Sequence, residues 1–209
     1  EVFTVSFNFR GREYVSKIDG NQKVLKRLVH NDSVQLFDIL TGKKFQRFEN
    51  NQLVMVSDSL SRVYANSINS VHYFSKLPYG LNDEAVKKEL IGKTKIKEQD
   101  YYKVKVTFEQ EGGGDDFDDT YLYWFNKETF KADYLAYEFH VDGGGMRFRE
   151  AYNERYVDGI RFVDYYNLKP KHLNVSIMKI DSLFINDQLQ LLSKIELENI
   201  TILAQDSYN

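Results

Sequence analysis

Six carboxylates, Glu109, Glu111, Asp115, Asp116, Asp118 and Asp119, fall within eleven residues around Gly112-Gly113-Gly114. Calcium takes six to eight hard oxygens, so this density has enough ligands for a site, but the spacing is not that of an EF-hand loop. Excess acid on an exposed turn costs little in water, and a solvated acidic hairpin with no metal is expected. Gly143-Gly144-Gly145 has the look of a phosphate cradle, yet a strand from Met146 onward follows it where a helix N-terminus is needed; a hairpin turn is the better reading. His30, His72, His140 and His172 are dispersed, with no pair at zinc-ligand spacing. His72, beside an apolar helix stripe, is expected to be a partly buried surface histidine. Ser67 and Ser70 lie outside any Gly-x-Ser-x-Gly elbow and read as helix surface. The absence of Cys removes disulfides, thiolate metal sites and cysteine nucleophiles. No catalytic residue, metal or cofactor is assigned on these grounds.

The segment Met146 to Tyr166 is richer. If Asp158-Gly159 makes a two-residue turn, Val157 faces Ile160, Arg155 faces Phe162, Asn153 faces Asp164 and Ala151 faces Tyr166. Arg147, Arg149, Asn153, Arg155 and Asp164 then share one face. Phe148, Glu150, Tyr152, Glu154, Tyr156, Arg161, Val163 and Tyr165 occupy the other. Such a mixture fits a sheet that meets solvent on one side and lines a cavity with a few polar groups on the other. It equally fits a surface ladder of ion pairs, each worth at most about 1 kcal/mol.

The elements that must position these groups follow from periodicity. Phe3 to Phe9 alternates apolar and polar, as a half-buried strand does. Short runs at 12–18, 23–30, 33–39, 43–48 and 52–57 continue an antiparallel meander, separated by turn signals at Asp19-Gly20, Asn31-Asp32, Thr41-Gly42 and Asn50-Asn51. From 58 to 77 the period changes: Leu60, Val63, Tyr64, Ile68, Val71 and Phe74 recur every three or four residues, one stripe of an amphipathic helix. Asp58 or Ser59 can cap it, and Pro78 stops it. A second helix is expected over 83–91, capped by Asp83 and ended by Gly92. Strands resume at 93–97, 101–110, 120–126, 131–141, 146–157 and 160–166; 168–188 reads as a long connection and 189–202 as a final strand.

Fifteen Tyr and fifteen Phe in 209 residues, with two Pro, agree with a sheet-rich chain. A length of 209 residues sets one domain, 1–209, or at most two small ones. The expected fold class is mainly β with helices (α+β), one strongly curved antiparallel sheet or half-barrel closed by a helix lid; a two-sheet sandwich is the alternative. A net charge of −3 and no basic stripe exclude a nucleic-acid binder. No window has the roughly 18 consecutive apolar residues of a membrane span.

Asn69-Ser70-Val71-His72-Tyr73-Phe74 with Leu77-Pro78, Asp133-Tyr134-Leu135-Ala136-Tyr137, and Gly144-Gly145-Met146-Arg147-Phe148-Arg149 through Asn153, Arg155, Gly159-Ile160-Arg161-Phe162 and Asp164-Tyr165 carry a resemblance. They resemble an uncharacterised family of exported Gram-negative bacterial proteins, similar in fold to the lipoprotein localisation factors. The resemblance implies a curved half-barrel with an apolar cavity that holds acyl chains, and a cell-envelope location, periplasmic or lipid-anchored. The chain opens on Glu1, so a targeting segment upstream is expected. Together the readings imply a non-enzymatic protein that binds a lipophilic small molecule or lipoprotein acyl chain. The expected ligand-binding residues are Leu60, Val63, Tyr64, Ile68, Val71, Phe74, Arg147, Arg149, Asn153, Arg155 and Asp164. Two other readings stand beside it: a hydrolase using Arg147, Arg149 and Asp164, and a surface module that binds a protein partner.

Overall fold

Phe3, Val5, Phe7 and Phe9 take alternate places along β1 (Val2–Phe9), and the inward side chains of Val5 and Phe7 are buried. The same alternation, punctuated by tight turns, builds most of the chain. The structure, a computed structural model, describes residues 2–20, 22–30, 34–109, 111, 119–140, 143–172 and 175–205. The Asn31-Asp32 turn, Glu1 and most of the acidic loop, including Asp115, Asp116 and Asp118, lie outside the described residues.

β1 is followed by β2 (Arg12–Asp19), β3 (Gln22–His30), β4 (Gln35–Thr41), β5 (Lys44–Glu49) and β6 (Gln52–Val54). Next come helix α1 (Asp58–Ser75), then β7 (Val86–Ile96), β8 (Gln99–Phe108), β9 (Thr120–Asn126), β10 (Ala132–Phe139), β11 (Gly145–Val157) and β12 (Ile160–Pro170). A 3₁₀ turn (Ile177–Lys179) leads into α2 (Ile180–Ile185), and β13 (Leu189–Ile195) and β14 (Glu198–Gln205) end the described chain. Several hairpins turn on two residues with positive φ, as at Arg10-Gly11, Asn50-Asn51, Lys97-Glu98 and Asp158-Gly159. These are type I′ turns, whose twist matches that of the strands they join.

Among the described residues fourteen strands form two antiparallel sheets of seven, where the sequence pointed first to one continuous sheet. The orders are β14-β1-β2-β3-β4-β5-β6 and β13-β12-β11-β10-β9-β8-β7. So many strands exceed what one open twisted sheet usually keeps without splitting. The chain divides into two compact units. The first comprises Glu1–Leu77, Arg155–Phe162 and Glu196–Asn209, and holds the first sheet and α1. The second comprises Pro78–Glu154 and Val163–Ile195, with α2 and most of the second sheet.

The core of the second unit gathers Trp124, Phe148, Tyr134, Leu122 and Ile180, with Phe184 of α2 packed against them. A buried polar knot fastens α2 to the sheet: Asp181 Oδ2 accepts from Lys103 Nζ at 2.9 Å, Thr94 Oγ1 at 2.9 Å and Trp124 Nε1 at 3.3 Å. Lys103 also donates to the Met178 carbonyl at 2.6 Å.

Four expectations need correction. The helix expected over 83–91 is instead the start of β7, paired with β8 from Val86↔Phe108 to Ile96↔Gln99. The Val86 to Leu90 spacing puts both residues on one face of a strand as readily as on a helix, and cross-strand pairing overrides weak helix propensity. Gly92 marks a bulge in β7, where the register shifts. The connection expected over 168–188 holds the end of β12 and α2, and the final strand 189–202 is two strands, β13 and β14, in different sheets. Helix α1 is capped by Ser57, whose Oγ accepts from the Leu60 amide at 3.4 Å, not by Asp58 or Ser59.

Candidate functional site

Helix α1 lies on the first sheet through Tyr64, Ala65, Ile68, Val71 and His72, positions three and four apart that share one face. Ile68, fully buried, packs with Leu25 and Leu40, and Phe45 and Ala65 border that cluster. His72 lies with its ring edge-on to Phe7 at 5.8 Å and Tyr14 at 5.6 Å, and those two rings stack on each other at 5.5 Å. The expectation of a partly exposed histidine is therefore corrected: His72 is fully buried. One turn of helix places it over the strands, and two aromatic rings close round it.

The His72 Nε2 donates to the Lys26 carbonyl at 3.1 Å, which leaves Nδ1 as the unprotonated nitrogen. Burial lowers its pKa from the ordinary 6.5 to about 3, against the raising effect of the Lys26 carbonyl and with further lowering by Lys76 and Lys23. The native state thus holds a neutral imidazole where the unfolded chain takes up a proton. Its contribution is complete above about pH 6.5 and is lost as pH falls from there toward 3, at up to about 1.4 kcal/mol per pH unit. Urea unfolding at pH 6 and pH 4.5 is expected to show this slope in the wild type, and His72→Gln is expected to reduce it by close to one proton.

Beside this apolar packing lies a row of charge. Arg27, Asp38 and Arg47 are direct cross-strand partners on β3, β4 and β5. Asp38 Oδ2 accepts from Arg27 Nη2 at 2.7 Å and Nε at 3.1 Å, and from Arg47 Nη2 at 3.0 Å; Oδ1 accepts from Arg47 Nε at 2.7 Å. Arg27 Nη1 reaches up to Ser67 Oγ of the helix at 3.1 Å. The Arg47 guanidinium lies 3.9 Å from the Tyr64 ring centroid, so the helix also closes over it as a cation–π partner. Two guanidiniums on one carboxylate leave a net positive charge, and Arg47 is the more exposed of the pair, its side chain 14% accessible against 5% for Arg27.

Arg47 lines a cavity of about 170 Å³ with Phe45, Gln46, Leu53, Val54, Met55, Val56 and, from the first turns of α1, Ser61. β6 is the last strand of its sheet and is three residues long. Around the opening the chain leaves apolar side chains in water: Met55 is 93% exposed and Leu53 59%.

The expected ligand residues are distributed as follows. In the first unit, Tyr64, Ile68 and Val71 face the sheet, Leu60 and Val63 are exposed, and Phe74 is half-buried with its ring edge-on to Tyr73 at 5.5 Å. Arg155, on the hairpin tip of the same unit, donates to the Leu197 carbonyl at 2.6 Å. In the second unit, Asn153 Nδ2 donates to Asp164 Oδ2 at 2.6 Å, so these two side chains meet. Asn153 itself has φ 51°, a local irregularity of β11. Buried Arg149 donates to the Tyr137 hydroxyl at 3.1 Å, and Arg147 donates to the Met146 carbonyl at 2.8 Å with its guanidinium 4.9 Å from the Phe139 ring. Among the described residues no cluster of His, Asp and Glu has the geometry of a metal site.

The sequence reading missed Arg27, Asp38 and Arg47. Their signal was present: each occupies a place of the same parity as a core residue of its strand, Leu25, Leu40 and Phe45.

A model of a family of unknown function (DUF6503) matches residues 4–199. No curated protein matches in sequence. Among solved structures, a LolA superfamily protein from Nitrosomonas europaea aligns with 98% of this chain and 86% of its own, at 12% identity and a TM-score of 0.50. A DUF1329 family protein from Desulfovibrio piger aligns with 96% of this chain and 83% of its own at 11% identity and a TM-score of 0.41. A domain described as that of an outer membrane lipoprotein-sorting protein, from Vibrio parahaemolyticus, covers 88% and 90% at 8% identity and 0.41. At such identities the first likeness is one of fold.

Proposed function

We propose, from the premise that the chain belongs to this family of unknown function, DUF6503, that it binds and carries a lipophilic ligand or lipoprotein acyl chain without catalysing a reaction. The observation that carries the reading is the open cavity at the β6 edge, ringed by apolar side chains that stand in water. Isolated exposed apolar residues are ordinary, but Leu53 and Met55 in consecutive outward places at the mouth of a cavity form a patch of the kind ligands cover. The first unit supplies rigid walls: α1 is held to the sheet by the Ile68 cluster, the His72 contact and the Arg27–Ser67 bond. The likeness to a LolA superfamily protein supports a place in the cell envelope. No helix among the described residues is long and apolar enough to cross a membrane. On this reading the exposed Leu60 and Val63, on the first turns of α1, add apolar surface within the first unit.

A neutral naphthylamine dye that fluoresces in apolar surroundings tests the reading. The dye is expected to brighten with the protein and to be displaced by dodecanol. Leu53→Ser with Met55→Ser removes two exposed side chains at little cost to folding and is expected to weaken dye binding about tenfold, since burying one such side chain is worth about 1.5–3 kcal/mol. A protein that never brightens the dye would refute it.

A further inference from the structure

We propose that the cavity at the β6 edge takes the anionic end of an amphiphile, with Arg47 as the residue that recognises its charge. This rests on the lipophilic-ligand reading above and goes further by assigning the ligand's polar chemistry and its orientation. A cavity of about 170 Å³ is smaller than the roughly 300–1,000 Å³ that encloses a whole small-molecule ligand, so it holds one end of a longer one. Which end follows from charge. The lining from Leu53 to Val56 is apolar, but β5 contributes Gln46 and Arg47, the latter the outer guanidinium of a row in which two arginines share the single carboxylate of Asp38. The row therefore keeps one uncompensated positive charge, and of its members Arg47 is the one that lines the cavity.

A positive charge on the wall of a partly sheltered cavity is a poor place for a hydrocarbon terminus or a cation. It is a good one for a carboxylate or phosphate, because a charge-assisted hydrogen bond in a sheltered site is shorter and stronger than a neutral one. Tyr64 over the guanidinium and the Asp38 bonds fix the fork, so little ordering remains when the anion arrives. Ser61 adds a hydroxyl to the lining. The ligand's chain then leaves the opening along the exposed side chains of Leu53 and Met55.

Calorimetric titration of the whole chain with dodecanoate, dodecyl phosphate, dodecanol and dodecyltrimethylammonium, each below its micelle concentration, tests this. Both anions are expected to bind, and the cation at least about tenfold more weakly. A carboxylate preference points to a free fatty acid, and a phosphate preference to a lipid headgroup. Arg47→Gln, which leaves Asp38 paired with Arg27, is expected to lose about tenfold or more of anion affinity while dodecanol binding holds, and Arg47→Lys to recover part of it. Met55→Asp alters a side chain that is 93% exposed, so it leaves the fold intact. It is expected to weaken the anions more than dodecanol, and it decides the matter if the Arg47 variants do not fold. If all four bind alike, or anion affinity is the same in Arg47→Gln and Met55→Asp as in the wild type, the inference is wrong while the carrier reading stands. If none binds, both are wrong.

Discussion

Asp38→Ala is expected to lower the stability of the protein by about 3–5 kcal/mol, read as a loss of midpoint in urea followed by circular dichroism. Asp38 is 1% exposed and accepts four N–H bonds from Arg27 and Arg47. Alanine there leaves two guanidiniums facing each other without an anion, and the penalty for uncompensated buried charge exceeds the net worth of the pairing itself. Since domains of this kind are stable by about 5–15 kcal/mol, a loss of this size brings the fold near its limit. The triple replacement Arg27→Met, Asp38→Leu and Arg47→Leu removes every charge of the row together and is expected to cost far less than Asp38→Ala alone. An Asp38→Ala protein within 1 kcal/mol of the wild type would show that the row is solvated.

Phe148→Ala is the second large effect, expected at about 3–5 kcal/mol. Phe148 is fully buried, stacks on Phe184 of α2 at 4.7 Å and meets Trp124 edge-on at 5.5 Å and Tyr134 at 5.7 Å. Truncation leaves a cavity between the second sheet and α2 that neither a short helix nor a paired strand can collapse to fill. Trp124 is the single tryptophan of the chain, so its fluorescence reports on that core directly. The variant is expected to unfold at lower denaturant with a red-shifted tryptophan signal. Tyr79→Ala, at a residue 68% exposed, is expected to stay within about 0.5 kcal/mol of the wild type.

How much of this was legible in the sequence depends on the range over which each feature is decided. Hairpins and α1 were readable because turn residues and periodicity act within a few residues. Asn50-Asn51 and Asp158-Gly159 adopt the left-handed conformations their types favour. The first part of β7 was not readable, because its pairing partner β8 decides it and a four-residue apolar spacing is common to both structures. Nor was the division of 189–202, since β13 and β14 are claimed by strands far away in the chain, β12 and β1.

Half of the charged row was within reach: the turn that pairs Thr41 with Lys44 also sets Asp38 opposite Arg47. Its other half, Arg27 opposite Asp38, is set by the pairing of β3 with β4. The stripe on α1 located the packing face near Ile68, but spacing alone placed Leu60 and Val63 with it. The structure has them in solvent, because the helix meets the sheet through Tyr64, Ala65, Ile68, Val71 and His72 instead.

The most direct test of ligand carriage is native mass spectrometry of the chain purified from bacterial membranes without added detergent. The protein is expected to retain an acyl-bearing species of defined mass, and Leu53→Ser with Met55→Ser to carry less of it. A spectrum showing the bare polypeptide mass alone, unchanged after incubation with a total membrane lipid extract, would contradict the account.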